Sequence, residues 1–264
     1  MVVVIKGAGD IASGIALRLF HAHFTILMTD IAMPTAVRRS VSFSEAVIQG
    51  QAVVEDVRAR LVPDKPAMQD ALAAGCIPVF VDPTGTVVKR VVPDVVVDGI
   101  MAKRNLGTHI DDAKVVIGVG PGFTAGIDCH AVIETMRGHR IGRVITQGSA
   151  IPNTGVPGDI GGYTLERLLR APITGIFEPR RNIGDTLQQG ELVARVSGFP
   201  IYSGLGGILR GILPNGIPVT PGMKVGDVDP RCERSHCFTV SDKALSIAGG
   251  VLEAILRFTD KRLG

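Results

Sequence analysis

The 264-residue chain has no tryptophan, 2 tyrosines and 9 phenylalanines, so it offers no aromatic platform on which single-stranded bases would stack. Basic runs are missing as well. No stretch of lysine or arginine exceeds two residues, and 28 basic against 25 acidic side chains leave a net charge of only +3. That excludes the electrostatic footprint of a nucleic-acid binder. Cysteine is sparse, at 4 residues (Cys76, Cys129, Cys232 and Cys237), which argues against a disulfide-built scaffold and for reduced thiols in a cytoplasm. No apolar run approaches the ~18 residues of a membrane span. Met1–Ile5, followed by Lys6-Gly7, is also too short for the apolar region of a signal peptide.

What the chain does have is glycine. With 33 Gly, 16 Pro and 45% hydrophobic residues, the composition is that of a globular protein with many tight turns, in one large or two modest domains. Apolar runs at 2–5, 25–29, 77–81, 95–97, 115–119 and 144–146 end in turns and alternate with helical stretches. This predicts βαβ units on a doubly wound, Rossmann-like parallel sheet over residues 1–150. Between Gly9 and Phe20, the residues Ile11, Ala12, Ile15, Ala16 and Leu19 recur at helical spacing, with Arg18 facing away.

The rhythm breaks at the Gly-, Pro- and Asn-rich stretch Gly148–Gly158, which marks a domain boundary. Beyond it lies an internal repeat. Sliding residues 173–196 by 32 onto 205–228 pairs Gly175 with Gly207, Gly184 with Gly216, Leu187 with Val219, Gly190 with Gly222 and Val193 with Val225. The pattern predicts two interlocking β half-barrels, and the segment 175–193 resembles the barrel-sandwich hybrid of biotinyl and lipoyl domains, which implies an all-β barrel-sandwich-hybrid domain over 151–238. The connection Ser197–Ser203 has no lysine to carry a swinging arm, and Lys224 lies inside the second half, so the barrel reads as a docking or structural module. The remaining stretch, 239–264, predicts a helix capped by Ser241, with Asp242 near its positive end and Lys261 and Arg262 near its negative end. That helix is expected to pack back on the first domain despite the weakening pair Gly249-Gly250.

Gly7-Ala8-Gly9-Asp10-Ile11-Ala12 matches G-x-G-x-x-A directly after a strand, with Asp30 ending the next strand. In a dinucleotide site the glycines admit a pyrophosphate at the helix N-terminus and the acid accepts ribose hydroxyls. The other reading is that Gly9 and Ala12 allow close packing and Asp10 caps the helix. Arg38-Arg39 offers a second phosphate contact or a solvated helix face. Gly118-Val-Gly120-Pro-Gly122-Phe-Thr124 joins a strand to a predicted helix, with Thr124 as N-cap and its amides as an anion nest. Lys103-Arg104-Asn105 adds positive charge to the same crevice or forms an ordinary exposed loop. On the predicted helix, His130 and Glu134 fall one turn apart, as a base with its orienting acid or as a surface ion pair. Cys232 and Cys237, with His236, Asp227 and Asp229, lack the spacing of a zinc knuckle, so no metal site is expected. Cys76 and Cys129 read as core.

Taken together, Gly7–Gly14, Arg38-Arg39 with Phe43–Ala46, Gly118–Gly126, the Gly148-Ser-Ala stretch and Ser241–Ala244 resemble the YqeB family, over nearly the whole chain. Those proteins are accessory to selenium-dependent molybdenum hydroxylases and distantly similar to XdhC-type molybdenum cofactor chaperones. The resemblance implies a maturation factor that binds molybdenum cofactor, or handles its sulfur or selenium ligand, before delivery to a hydroxylase apoenzyme. Gly7, Gly9, Asp10, Ala12, Asp30, Arg38, Lys103, Gly118, Gly120, Gly122 and Thr124 then become contacts to the phosphate of the pterin or of its dinucleotide form. No cysteine-bearing segment of the XdhC kind precedes the first strand, which counts against direct sulfur transfer. The alternatives are an NAD(P)-dependent oxidoreductase, or a scaffold whose glycine turns are structural only. Neither a membrane nor a nucleic acid is expected as a partner, and an oligomer is compatible with the sequence.

Overall fold

The structure is a computed structural model that describes residues 1–156 and 158–259. Two compact units emerge. Unit 1 contains Met1–Pro34, Ser42–Thr154 and the stretch that begins at Val240, and unit 2 contains Thr35–Val41 and Gly155–Thr239.

Unit 1 is built on strands β1 (Val2–Lys6), β2 (Thr25–Asp30), β3 (Gln51–Val54), β4 (Val57–Leu61), β5 (Ile77–Val81), β6 (Val95–Asp98), β7 (Val115–Val119), β8 (Ala131–Ile133) and β9 (Val144–Ile145). Its helices are α1 (Asp10–His21), α2 (Glu45–Gln49), α3 (Lys65–Ala73), α4 (Thr86–Val91) and α5 (Asp242–Phe258). Among the described residues the strands form one 9-stranded sheet in the order β3-β4-β5-β2-β1-β6-β7-β8-β9. The central strands read as unbroken apolar runs because both faces are covered, and Val95, Val96 and Val97 have no exposed surface.

The sheet corrects the expected doubly wound, all-parallel architecture. It is mixed, because β3 pairs antiparallel with β4 and β9 antiparallel with β8. The connections after β6 and β7 contain no helix, so the winding stops there. Gly120, Gly122 and Gly126 all take positive φ around Pro121, conformations that a helix cannot hold. The helix expected after Gly126 is therefore absent: Thr124 caps nothing helical, and His130 and Glu134 flank β8.

Ser241 does cap α5, its Oγ accepting from Ala244 N at 3.2 Å. The helix buries Ala244, Ile247, Ala248, Val251, Ala254 and Ile255, one stripe at helical spacing. The two glycines of this helix differ. A Cβ at Gly249 would meet nothing within 4 Å, whereas one at Gly250 would drive into the carbonyl of Gly142. Lys261 and Arg262 lie outside the described residues.

Unit 2 comprises β10 (Leu168–Arg170), β11 (Gly175–Pro179), β12 (Thr186–Leu187), β13 (Leu192–Val196), β14 (Phe199–Tyr202), β15 (Gly207–Ile212), β16 (Pro218–Val219) and β17 (Lys224–Asp229). They form two 4-stranded sheets, β10-β17-β15-β12 and β14-β13-β11-β16, with every pairing antiparallel. The first residues of β11 and β15, of β12 and β16, and of β13 and β17 stand 32 apart. Phe177, Val193, Val196, Leu209, Val225 and Val228 pack into one core. The expected barrel-sandwich hybrid is corrected by these two separate sheets. β10 and β14 follow the same shift, 168–170 falling on 200–202, and each lies at one end of its own sheet, on β17 and on β13, rather than closing a barrel.

Candidate functional site

In unit 1 the carboxyl ends of the parallel strands gather Lys6, Asp30, Asp98 and the turns that follow. Gly7 takes φ +92°, and a Cβ there would sit 3.0 Å from Ile100 Cα. The turn is closed by its own chain. Gly7 N donates to Thr29 O at 2.9 Å, and the Asp30 carboxylate accepts from Ala8 N at 3.1 Å and from Ile31 N at 2.8 Å. Burial nonetheless pushes the Asp30 carboxyl up from its ordinary range. Gly9 is the N-cap of α1 and makes no side-chain cap bond. Ala12 is small where Gly99 must approach, a Cβ at Gly99 lying 3.1 Å from Ala12 Cβ.

The second glycine turn spends its amides in the same way. Gly120 N donates to Ile133 O, Ala125 N to Gly148 O and Gly126 N to Cys129 O, and Thr124 N donates to Asp128 Oδ2 at 2.7 Å. A Cβ at Gly118 would fall 2.5 Å from the Phe123 ring, and one at Gly122 would fall 2.6 Å from Arg104 N. The 99–108 loop therefore touches both turns, through Ile100 and through Arg104.

Two charged networks stand at this edge. Lys6 Nζ donates to Thr108 Oγ1 at 2.5 Å, and that hydroxyl donates to Asp98 Oδ2 at 2.7 Å, all three residues being buried. Glu134 accepts from Thr135 N, Met136 N and Ile151 N at 2.8 to 2.9 Å, so it anchors backbone and does not pair with His130. His130 Nδ1 accepts from Val116 N at 3.0 Å, so that nitrogen serves the backbone, and burial lowers the pKa of the ring. Arg137 grips Asp242 through both Nη atoms, at 2.7 and 3.0 Å. Beside them is Lys243, which has no hydrogen-bond or ion-pair partner among the described residues. Burial lowers its pKa, Arg137 and Lys103 add to that effect, and Asp10 and Glu134 oppose it. The sequence reading missed Lys6 and Lys243; a charge ending a Val-rich strand was the signal for the first.

Arg38 is in unit 2. Its guanidinium is buried, and Nη2 donates to His236 O at 2.9 Å and Thr239 O at 3.1 Å, so it holds backbone within unit 2. Arg39 likewise holds Ile212 O, at 3.0 Å. The acids near Cys232 are committed to arginines. Asp227 pairs with Arg167, and Asp229 accepts from Arg231 N, Nε and Nη2 at 3.1, 2.9 and 2.6 Å. These hydrogen bonds outweigh burial and hold the Asp229 carboxyl down to about 2. No group of metal-ligating side chains occurs among the described residues. Cys76, Cys129 and Cys237 are buried, burial pushing Cys129 up to about 11, while Cys232 is exposed. In a native thiol titration with a water-soluble disulfide reagent, Cys232 is expected to react fast and the other three slowly, and Cys232→Ser should remove the fast phase.

These features define an α/β protein of two units, with an open mixed sheet in one and paired antiparallel sheets in the other. No protein-family model matches it. The YqeB resemblance has a curated counterpart: the chain is 49% identical over 254 residues to the uncharacterized protein YqeB of Escherichia coli K12, an alignment that covers 96% of this chain and 47% of that protein. The chain thus spans about half the length of the curated relative it matches. Solved structures with a loose likeness include an aspartoacylase family protein from Mesorhizobium loti MAFF303099, at 14% identity and a TM-score of 0.28 over 86% of this chain and 84% of that one. A succinylglutamate desuccinylase/aspartoacylase from Rhodobacter sphaeroides aligns at 17% identity and a TM-score of 0.28, over 86% and 85%. A succinylglutamate desuccinylase from Silicibacter sp. TM1040 aligns at 13% identity and a TM-score of 0.26, over 86% and 84%.

At these TM-scores the likeness supports no transfer of activity. The maturation-factor expectation and its NAD(P)-oxidoreductase alternative are both corrected by the local geometry. Asp30 bonds the amides of its own turn, the turn at 118–126 donates Gly120, Thr124, Ala125 and Gly126 N–H to its own chain, and Arg38 holds backbone in unit 2. The amides of Gly7, Ala8, Gly120, Thr124, Ala125 and Gly126, which an anion nest for a phosphate would use, are thus already bonded within the chain. No helix among the described residues is long and apolar enough to cross a membrane.

Proposed function

We propose that unit 1 binds a small carboxylic acid at the carboxyl edge of its sheet, beside the start of α1, with Lys243 as the counter-charge and Lys103 at the rim. The observation that carries this reading is Lys243 itself, an ammonium partly withdrawn from water, without an ion-pair partner among the described residues, and beside two further cations. Perturbed titratable groups at the carboxyl ends of parallel strands are where ligand sites concentrate. With the turn amides consumed, recognition here rests on side-chain cations, and Gly9 leaves the first amides of α1 uncapped by any side chain. Asp10 and Glu134 favour the charged form of Lys243. A reducing, cytoplasmic setting is part of the same reading, because all four cysteines are free thiols.

Calorimetric titration with acetate, malonate, succinate and glutarate tests it. At least one should bind saturably, and Lys243→Met should weaken that binding about 10- to 100-fold, the loss of one charge-assisted bond, while thermal stability stays unchanged. The ligand needs the ammonium form. Since burial lowers the lysine pKa, affinity should fall as pH rises through a value below the ordinary lysine range. Absence of saturable binding to the unsubstituted protein, or full affinity in Lys243→Met, refutes the proposal.

A further inference from the structure

Unit 2 contains a second group of charges that the unit 1 reading does not use. Asp229 ends β17 with its side chain fully enclosed, and Arg231 chelates it from the turn that follows. Arg210, on β15, brings a second guanidinium to the same carboxylate, with Nη1 at 3.4 Å from Oδ2. The Arg210 side chain is only 8% exposed. Its Nε is buried with no hydrogen-bond partner. His236 approaches from the 3-10 turn Arg234–Cys237, with Nδ1 at 3.9 Å from the same Oδ2, beyond hydrogen-bond range, and that nitrogen too is buried without a partner.

The charges at this spot do not cancel. One carboxylate faces two guanidiniums, and the more deeply buried of the two holds it by the longer contact. A buried guanidinium with an orphaned N–H is costly unless an acceptor completes it. Arg210 Nη1 and His236 Nδ1 both lie within 4 Å of one oxygen. Arg210 Nε belongs to the same rigid guanidinium as Nη1, so it and His236 Nδ1 fall within the span that a single small oxyanion bridges. Access is over His236, whose side chain is 39% exposed. Its carbonyl is pinned by Arg38 Nη2 at 2.9 Å, so the ring can turn while the backbone stays fixed.

We propose that unit 2 holds a small oxyanion between Arg210 and His236, with Asp229 positioning both side chains. Arg210 Nε and His236 Nδ1 donate to the ligand, and Arg231 keeps Asp229 engaged so that the carboxylate does not repel it. A free tetrahedral ion and a carboxylate share this chemistry, and they are separated by probe.

The test titrates the full chain with inorganic phosphate in one arm and acetate in the other, by calorimetry and by phosphorus-31 line broadening in the phosphate arm. Saturable binding is expected in at least one arm, weakened at least about tenfold by Arg210→Gln and by His236→Ala, and unaffected by Lys243→Met. The exposed His236 variant keeps the test decisive if Arg210→Gln fails to fold. Binding of phosphate alone assigns a phosphoryl or sulfuryl group, and binding of acetate alone assigns a carboxylate. No saturable binding in either arm overturns the inference, as does binding that survives His236→Ala unchanged. Binding lost only in Lys243→Met belongs to unit 1 and also overturns it, leaving the unit 1 reading intact.

Discussion

Gly250→Ala is expected to destabilise the protein by about 3 kcal/mol or more, while Gly249→Ala, one residue earlier in the same helix, stabilises it by ~0.5–1 kcal/mol. Both substitutions add the same methyl and gain the same helix propensity, so the difference isolates packing. At Gly249 the new Cβ meets nothing within 4 Å. The gain there is the conformational entropy that the unfolded chain no longer has to lose. At Gly250 the methyl collides with the carbonyl of Gly142, and the turn cannot retreat easily. Gly142 is held at φ +79°, and its own Cβ position lies 2.5 Å from Ser246 O on the helix. The helix and this turn touch backbone to backbone, through two glycines facing each other. Urea unfolding of both variants measures the effect. Equal shifts, or a neutral Gly250→Ala, would show that α5 does not sit at this depth.

Asp227→Ala is expected to cost about 3–5 kcal/mol, because it strands a buried cation. Asp227 and Arg167 are ion-paired with side chains 4% and 10% exposed. Arg167 gains little elsewhere, its Nη2 reaching Gly158 O at only 3.4 Å and its Nε having no partner. Lys224, the other cation at Asp227, lies 3.6 Å away with its side chain 39% exposed, so it can turn to water when the carboxylate goes. The double variant Arg167→Met with Asp227→Leu removes both charges and should recover most of the loss, since two apolar side chains of similar volume need no counter-ion. A double-mutant cycle by chemical denaturation reads the coupling directly. If the double variant were as unstable as Asp227→Ala, the cost would lie in shape and not in the stranded charge.

The sequence displayed the parts of this fold whose cause is local. Val2–Ile5, Val95–Val97 and Val115–Val119 read as strands because burial on both faces demands unbroken apolar runs. Ser241 read as a cap because its hydroxyl serves an amide three residues on. The hairpin β3-β4 was illegible for the opposite reason: its alternate residues face water, and Gln51, Arg58 and Arg60 dilute the apolar signal. The four-residue spacing of His130 and Glu134 suggested a helix, yet Ala131-Val132-Ile133 is a short apolar run that periodicity alone cannot assign, and three glycines with positive φ upstream decide for a strand. The candidate sites were the least legible. Lys243 stands more than 100 residues along the chain from Lys103, Glu134 and Arg137, and Arg210 meets Asp229 only because β15 pairs with β17. Motif spacing carries no trace of such meetings.

The division of the chain bears on the order in which it can be completed. Neither unit is one continuous stretch: Thr35–Val41 leaves the first unit to join the second, and Val240 returns to the first after Thr239. In unit 2, β12 pairs with β15 and β11 with β16, so each half of the repeat takes ladder partners from the other. A chain emerging from the ribosome can therefore finish neither unit early. Unit 2 waits for residues near 229 and unit 1 for α5, which fills the space beside Gly14 with Ala244. Long-range strand pairing of this kind slows folding. Until α5 has been made the nascent chain carries unpaired strands, and its dependence on holding chaperones should be correspondingly high.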